Sequence, residues 1–306
     1  MSLKTKSPNN HSTLFFGIYE GNKSLPLMEY LKETAQLSGR SLRQYFFKGL
    51  VQLNSRRAHS GVILKAGDQV LVTTPNSERQ TLTPETGKLN VIYEDRQLLI
   101  LNKPAQLATH PSGKITHGTL ANQVAAYLNA QGEKLKVRPV NRLDFGTSGL
   151  VIFAKNAFIQ AELSKAIQAH QIIRTYYAVV QGIPQESSGE IELPIATSQK
   201  KRIVDQAGKP AVTNYLVKEV FTTNSLLELT LETGRTHQIR VHLEHLGYPL
   251  LGDSQYGVKS PFFKRPALHA GKLNFTASKF DVPELIAAFP DDFEKSLLTL
   301  RQNSTP

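Results

Sequence analysis

Apolar positions along the chain follow two spacings, one helical and one alternating. Leu27, Tyr30 and Leu31 share one helical side, and Leu42, Tyr45, Phe46 and Leu50 a second, since residues three and four apart meet on one face. Short apolar runs at 51–53 and 70–72 follow, set apart by the Gly67-Asp68 turn. The spacing predicts a small unit over 13–74, made of two helices and a strand pair. Residues 1–12 have no apolar period and read as a disordered tail. The stretch 75–88 is polar, holds two prolines and reads as a linker.

Beyond Leu89 the pattern turns strand-rich, with helices between. Apolar runs at 91–93 and 98–101 flank a turn at Glu94-Asp95, as in a hairpin. Leu120, Val124, Tyr127 and Leu128 follow the N-cap residue Thr119 at helical spacing. The run 150–154 is apolar throughout, which fits a strand buried on both faces. Ile159, Leu163 and Ile167 mark another helix, and 176–180 and 227–231 read as strands. Ile239, Leu243 and Leu246 lie on one side of a helix that stops at Gly247. Strands and helices in this irregular order do not spell a repeated βαβ unit, so the expected class is α+β with a mixed sheet.

A chain of 306 residues suits two domains. Cysteine is absent, which removes disulfides, Cys-ligated zinc, iron–sulfur clusters and thiol nucleophiles together. No apolar run approaches the ~20 residues that span a bilayer, and the polar start lacks the apolar core of a signal peptide. A cytoplasmic protein without a membrane partner is the expectation, with a monomer as the default. The net charge of +11 points to a polyanion.

That charge is concentrated. Arg40, Arg43, Lys48, Arg56, Arg57 and Lys65 fall in one stretch with no acidic residue between Ser38 and Lys65. Such a cluster can neutralise several phosphates, or it can be a solvated surface. The same stretch carries Gly49, Val51 and Asn54 as G-x-V-x-x-N and closes on Ala66-Gly67-Asp68. It thereby resembles the S4 RNA-binding domain, and the resemblance implies a preference for structured RNA.

Candidate chemistry centres on Asp144. It is the sole acid between Glu133 and Glu162, amid Lys134, Lys136, Arg138, Arg142 and Lys155. Basic neighbours favour the ionised carboxylate, which suits a nucleophile or electrostatic stabiliser and not a general acid. A turn former beside glycine is the plainer alternative. The segment Asn141-Arg142-Leu143-Asp144-Phe145-Gly146-Thr147-Ser148-Gly149 resembles the H-R-L-D-x-x-T-S-G motif of RluA-like pseudouridine synthases. Asn141 stands where that family usually carries His. The stretches IIRTYYAVVQG and ETGRTHQIRVHL resemble its K-x-Y-x-A-x-V and G-R-T-H-Q-I-R-x-H elements, and LNKP and ALHA its opening turn and later strand.

The resemblance implies a largely antiparallel sheet with flanking helices and a central cleft over 89–298, with 299–306 as a C-terminal tail. It implies isomerisation of uridine in RNA, with Asp144 either attacking the sugar carbon or assisting departure of the base. Tyr176 is the implied aromatic partner of the uracil, and Arg240 the partner of Asp144. Arg142, Asn141, Arg235 and His237 are implied on the RNA and in base flipping; Arg235 serves equally as a brace for the turn at Gly234. The N-terminal bases would hold the RNA. No cofactor or metal is expected: His237, His242 and His245 lack a full ligand set at zinc spacing. Asp144-Phe145-Gly146 spells a kinase triplet but lacks its glycine-rich loop. Ribosomal RNA is the leaning for members with an S4 domain. Transfer RNA, or a non-catalytic ribosome-assembly factor, is the alternative.

Overall fold

A computed structural model describes residues 11–304 apart from 22–23, 36–38, 76–81, 114, 134–135 and 200. Most of the tail expected over 1–12, and residues 76–81 of the expected linker, lie outside the described residues. The chain divides into two compact units, one of residues 1–81 with 133–136, the other of 82–132 with 137–306.

The first unit runs β1 (His11–Ile18), β2 (Leu25–Pro26), α1 (Leu27–Thr34), α2 (Gly39–Phe47), β3 (Val51–Leu53), β4 (Arg56–Arg57), β5 (Ile63–Leu64) and β6 (Gln69–Pro75). His11 and Ser12 thus belong to a strand, not to a tail: they pair with Pro75 and Thr74 of β6. The sheet order is β1-β6-β3-β4, and Leu27, Leu31, Leu42, Val51, Val70 and Val72 are buried. The G-x-V-x-x-N pattern has a physical cause. Gly49 leaves α2 at φ +68°, Val51 enters the core, and Asn54 turns left-handed at φ +50°. Asn54 Oδ1 accepts from the Gln69 amide at 2.8 Å while Nδ2 donates to Asp68 Oδ1 at 2.7 Å.

The second unit runs β7 (Val91–Glu94), β8 (Leu98–Lys103), α3 (Leu120–Ala130), β9 (Arg138–Pro139), β10 (Ser148–Ala154), α4 (Ala157–Gln168), β11 (Ile173–Gln181) and β12 (Ser188–Glu192). It continues with β13 (Ile195–Ser198), β14 (Lys201–Val204), β15 (Val212–Val220), β16 (Asn224–Leu231), α5 (Gln238–His245), β17 (Leu268–Asn274), β18 (Leu285–Ile286) and α6 (Asp291–Gln302). The main sheet is ordered β12-β15-β16-β11-β17-β10-β8-β7. Its pairings are antiparallel except β10 with β17. The fold is therefore α+β with a mixed, largely antiparallel sheet.

That parallel seam matters for the site. Ser148 pairs with His269 and Gly149 with Ala270. Gly149 sits at φ +115°, and a Cβ there would lie 2.2 Å from the Ala270 carbonyl oxygen, so only glycine lets the two strands close. Ser148 Oγ meets His269 Nδ1 at 2.9 Å, and His269 Nε2 donates to the Ala287 carbonyl at 3.2 Å. Burial drives His269 down to about 4, so the imidazole at the seam is neutral.

Every residue of β10 is buried, because apolar side chains cover both faces. Leu98, Ile100, Leu150, Ile152, Leu163 and Phe275 form one core. Val179, Leu226, Phe263, Phe293 and Leu297 form another, which includes the inner side of α6. Two expectations need correction. Residues 299–302 continue α6, and the Thr222 amide donates to Ser304 Oγ at 3.0 Å, so this segment packs where a tail was expected. Leu246 follows α5 as its C-cap and is exposed. The hairpin β13–β14 escaped the reading because its strands are short and lack clear alternation.

Candidate active site

Asp144 stands at the entry to β10, on a loop held from several sides. Asn141 is buried, with Nδ2 donating to the Leu150 carbonyl at 3.3 Å and Oδ1 accepting from the Ile152 amide at 2.8 Å. Both polar atoms are thus committed to β10. Asn141 thus braces the loop and also lines the cleft above Asp144. Leu143 exchanges two bonds with Thr109 Oγ1, at 2.8 and 3.1 Å. The Thr147 amide donates to the Asp144 carbonyl at 3.0 Å, and Arg265 Nη1 to that of Gly146 at 3.2 Å. The turn former and the candidate nucleophile are therefore one residue: its backbone closes the turn, and its side chain stays partly exposed. Phe145 points outward, 55% exposed.

Arg240, on α5, meets that carboxylate. Its Nη1 donates to Asp144 Oδ2 at 3.0 Å, while Nε and Nη2 grip Asp253 Oδ2 and Oδ1 at 2.6 and 2.8 Å. A planar guanidinium spends one edge on a bidentate pair and keeps a second for Asp144. Burial alone would raise Asp253, but the bonds and charge of Arg240, with the Gln255 and Tyr256 amides, hold its carboxyl below the usual range. Arg240 also lies over the Tyr256 ring, 4.8 Å from its centroid.

Tyr176 lies on the face of β11 toward this site and lines the same hollow as Asp144 and Arg240. It is the more buried of its pair; Tyr177 is half-buried on the other face, edge-on to Phe289 at 5.3 Å. Burial raises the Tyr176 hydroxyl against the pull of Arg174, so it keeps its proton at neutral pH. His237 sits left-handed at φ +59° with Nε2 3.8 Å from Asp144 Oδ2. Its place is beside the carboxylate, lining the same hollow as Asp144 and Tyr176. Its Nδ1 meets Tyr256 Oη at 2.9 Å, and that oxygen accepts from the Arg202 amide. Burial lowers His237 despite Asp144.

A cleft of about 640 Å³ opens above Asp144 and Tyr176, walled by Arg142, Arg174, Leu231 and Arg235. This is within the ~300–1,000 Å³ typical of small-molecule sites. Arg142 and Arg235 are exposed on its rim, and Arg235 Nε donates to the Pro210 carbonyl at 2.9 Å, so it also braces its turn. Arg174 is buried, and its Nε has no hydrogen-bond partner among the described residues. His242 uses both ring nitrogens inside the protein, on Thr213 Oγ1 and the Leu193 carbonyl, each at 2.9 Å. In the first unit Arg43, Lys48, Arg56 and Arg57 are exposed. Arg57 Nη2 also closes the end of α2 on the Phe47 carbonyl at 3.0 Å. The Arg40 side chain lies outside the described residues.

Sequence reading missed Asp253, Tyr256, Arg174 and Lys103. Asp253 had a signal, an acid between Gly252 and Gly257, where added Cβ atoms would meet carbonyl oxygens at 2.3 and 2.1 Å. Lys103, within the N-K-P turn, is fully buried with Nζ on the Pro104 and Leu107 carbonyls at 2.9 and 2.7 Å. Burial drives its ammonium down to about 7 against the attraction of Asp144. The unfolded chain keeps that proton to about pH 10.5, so unfolding takes up protons between these values and stability rises with pH across the window. Relative to Lys103→Met, the wild type should gain up to about 1.4 kcal/mol per pH unit above pH 7. Urea unfolding at pH 7, 8 and 9 checks this; parallel curves would mean that the folded lysine keeps its proton as the unfolded chain does.

Residues 97–245 match the family model described as RNA pseudouridylate synthase. The chain is 39% identical over 279 residues to a Bacillus subtilis protein named uncharacterized RNA pseudouridine synthase YhcT, covering 88% of this chain and 91% of the relative. It is 35% identical over 253 residues to ribosomal large subunit pseudouridine synthase D of Haemophilus ducreyi, covering 77% and 78%. The solved human RNA pseudouridylate synthase domain containing 4 shares the fold, with a TM-score of 0.58 at 23% identity over 69% of this chain and 93% of that one. Near-full-length likeness to such relatives joins a cleft with one carboxylate held by a buried arginine, and the chain belongs to the RNA pseudouridylate synthase family: it is an RNA pseudouridine synthase, an isomerase.

Proposed function

We propose that the chain isomerises uridine in structured RNA, large-subunit ribosomal RNA above all, with Asp144 as the carboxylate that acts on the sugar. The observation that carries this is the 3.0 Å bond from Arg240 to Asp144 at the floor of a nucleotide-sized cleft. Isomerisation breaks the bond from C1′ to N1 and remakes it to C5 of the same ring, so one carboxylate suffices and no water need be activated. Hydrolytic glycosidases, by contrast, use two. Asp144 attacks C1′ or assists the departure of the base; in both, the bond from Arg240 holds the carboxylate aimed. The C5 proton leaves and N1 of the old bond gains one, so the change is internally balanced. Tyr176, which keeps its own proton, offers a ring face and a hydrogen bond to the uracil.

A paired base cannot reach this floor and must be extruded, at a few kcal/mol. Arg142 fills the vacated stack with its planar guanidinium, a role supported by its exposure on the rim next to Asp144. Relatives named ribosomal large subunit pseudouridine synthase D support the ribosomal target. Pseudouridine mapping of total RNA from cells with and without the gene tests this: loss of one or a few ribosomal sites is expected, and loss of transfer-RNA sites alone would redirect the target.

The first unit is read as an S4-like RNA holder, supported by its exposed bases and the Asn54–Asp68 turn. Full-length protein with Arg43, Lys48 and Arg56 all changed to Gln should lose about 0.7–0.9 of the slope of log K against log salt for each phosphate contact removed. An unchanged slope would return these residues to a solvated surface.

A further inference from the structure

Beside the catalytic cleft lies a second hollow, of about 550 Å³, between hairpin β13–β14, the loop at Gly208-Lys209 and the segment 234–236. Gly234, Arg235 and Thr236 line both hollows, so that segment is the low wall between them. Arg202, Lys209 and Arg235 bring three cations to it, and no lining residue is acidic. None of the three has a carboxylate partner among the described residues.

The backbone that carries these cations is itself held in place. Lys209 exchanges two hydrogen bonds with Ile195, each 2.9 Å. Gly208 lets that approach happen, since a Cβ there would stand 2.4 Å from the Ile195 carbonyl carbon. The Arg202 guanidinium bonds to Thr197 Oγ1, and its amide donates to Tyr256 Oη at 2.9 Å. Through Tyr256 the hairpin is tied to His237 and to the ring beneath Arg240. A cationic hollow with fixed walls that opens over a shared rim into the cleft has the form of a track for a polyanionic strand. Phosphates attract it by charge; the hollow has no aromatic lining on which a base would stack.

We propose that this second hollow holds the sugar–phosphate backbone of the nucleotides flanking the target uridine on one side, the strand crossing the wall at 234–236. The inference rests on the reading that uridine enters the cleft over Asp144. Binding of a fluorescent oligouridylate of about a dozen residues is measured across salt concentrations with full-length chains carrying Asp144→Asn, so that turnover does not interfere. Adding Lys209→Gln should weaken binding several-fold at low salt and lower the slope of log K against log salt by about 0.7, the value for one single-strand phosphate contact. Lys209→Arg should keep both, and Arg202→Gln should repeat the loss. Uridine monophosphate, too short to cross the wall, should bind the Lys209→Gln chain and its parent alike.

An unchanged slope, or equal weakening for the mononucleotide, overturns the track. Isomerisation by the wild type is scored separately. Its absence with the slope effect intact strikes the catalytic reading alone, whereas working isomerisation with an unchanged slope strikes the track alone.

Discussion

Asp144→Asn is expected to lower single-turnover isomerisation by at least about 10⁴-fold, the scale of loss when a working site loses its nucleophile. The amide is nearly the same size as the carboxylate, so the effect is one of charge and nucleophilicity. Fold should survive, because Arg240 keeps its bidentate pair with Asp253, and RNA affinity should stay within a few-fold. Chemical mapping of pseudouridine in the target transcript reads the first quantity and filter binding the second. Activity within ten-fold of wild type would remove Asp144 from the chemistry. Weak binding with normal chemistry at saturating RNA would make it a binding residue instead.

Asp253→Ala should show the largest effect on stability. Asp253 has no exposed side-chain surface and neutralises a guanidinium that is itself only 9% exposed. Removing one partner of such a pair leaves a buried charge, at a cost of about 3–5 kcal/mol, against a total stability of about 5–15 kcal/mol for a typical domain. Asp253→Asn keeps volume and one acceptor and should lose less. Both should slow isomerisation, since the pair with Asp253 fixes the far edge of the guanidinium that bonds to Asp144.

The pH response of Asp253 has a definite sign. Its folded carboxyl lies below the unfolded value of 3.8, so its contribution is present above that pH and lost as pH falls below it. Asp253→Ala should therefore flatten the acid limb of the stability curve. Urea unfolding at pH 7 and pH 3–4 reads both effects; equal midpoints for variant and wild type at pH 7 would refute the buried-pair argument.

Much of the fold was legible because local rules and tertiary burial agree. Thr119 accepts from the Asn122 amide as a helix cap, and Ser148–Ala154 is apolar because both sheet faces are covered. Gly49 marks a left-handed turn, and Gly149 a close strand approach that no Cβ would allow. The site was legible where one short segment carries it, as with Asp144 on its turn or Tyr176 on its strand. The internal bonds of Asn141 and His237 were not legible, because position in a motif does not reveal which atoms a side chain spends internally. Asp253, Lys103 and the β13–β14 hollow escaped for a related reason: their roles are defined by partners distant in sequence.

The amino-acid order by itself determined the α+β class, the two units, the basic N-terminal stretch and the lone acid amid bases. Those depend on periodicity, turn chemistry and net charge, which act over a few residues. Only the tertiary structure decided that one guanidinium serves two carboxylates, that His237 sits beside Asp144, and that two hollows share a wall at 234–236. Such facts arise when the sheet brings β10 and β11 together on β17 and Arg240 of α5 reaches Asp144, because charge pairing and burial are set by distance in space and not along the chain.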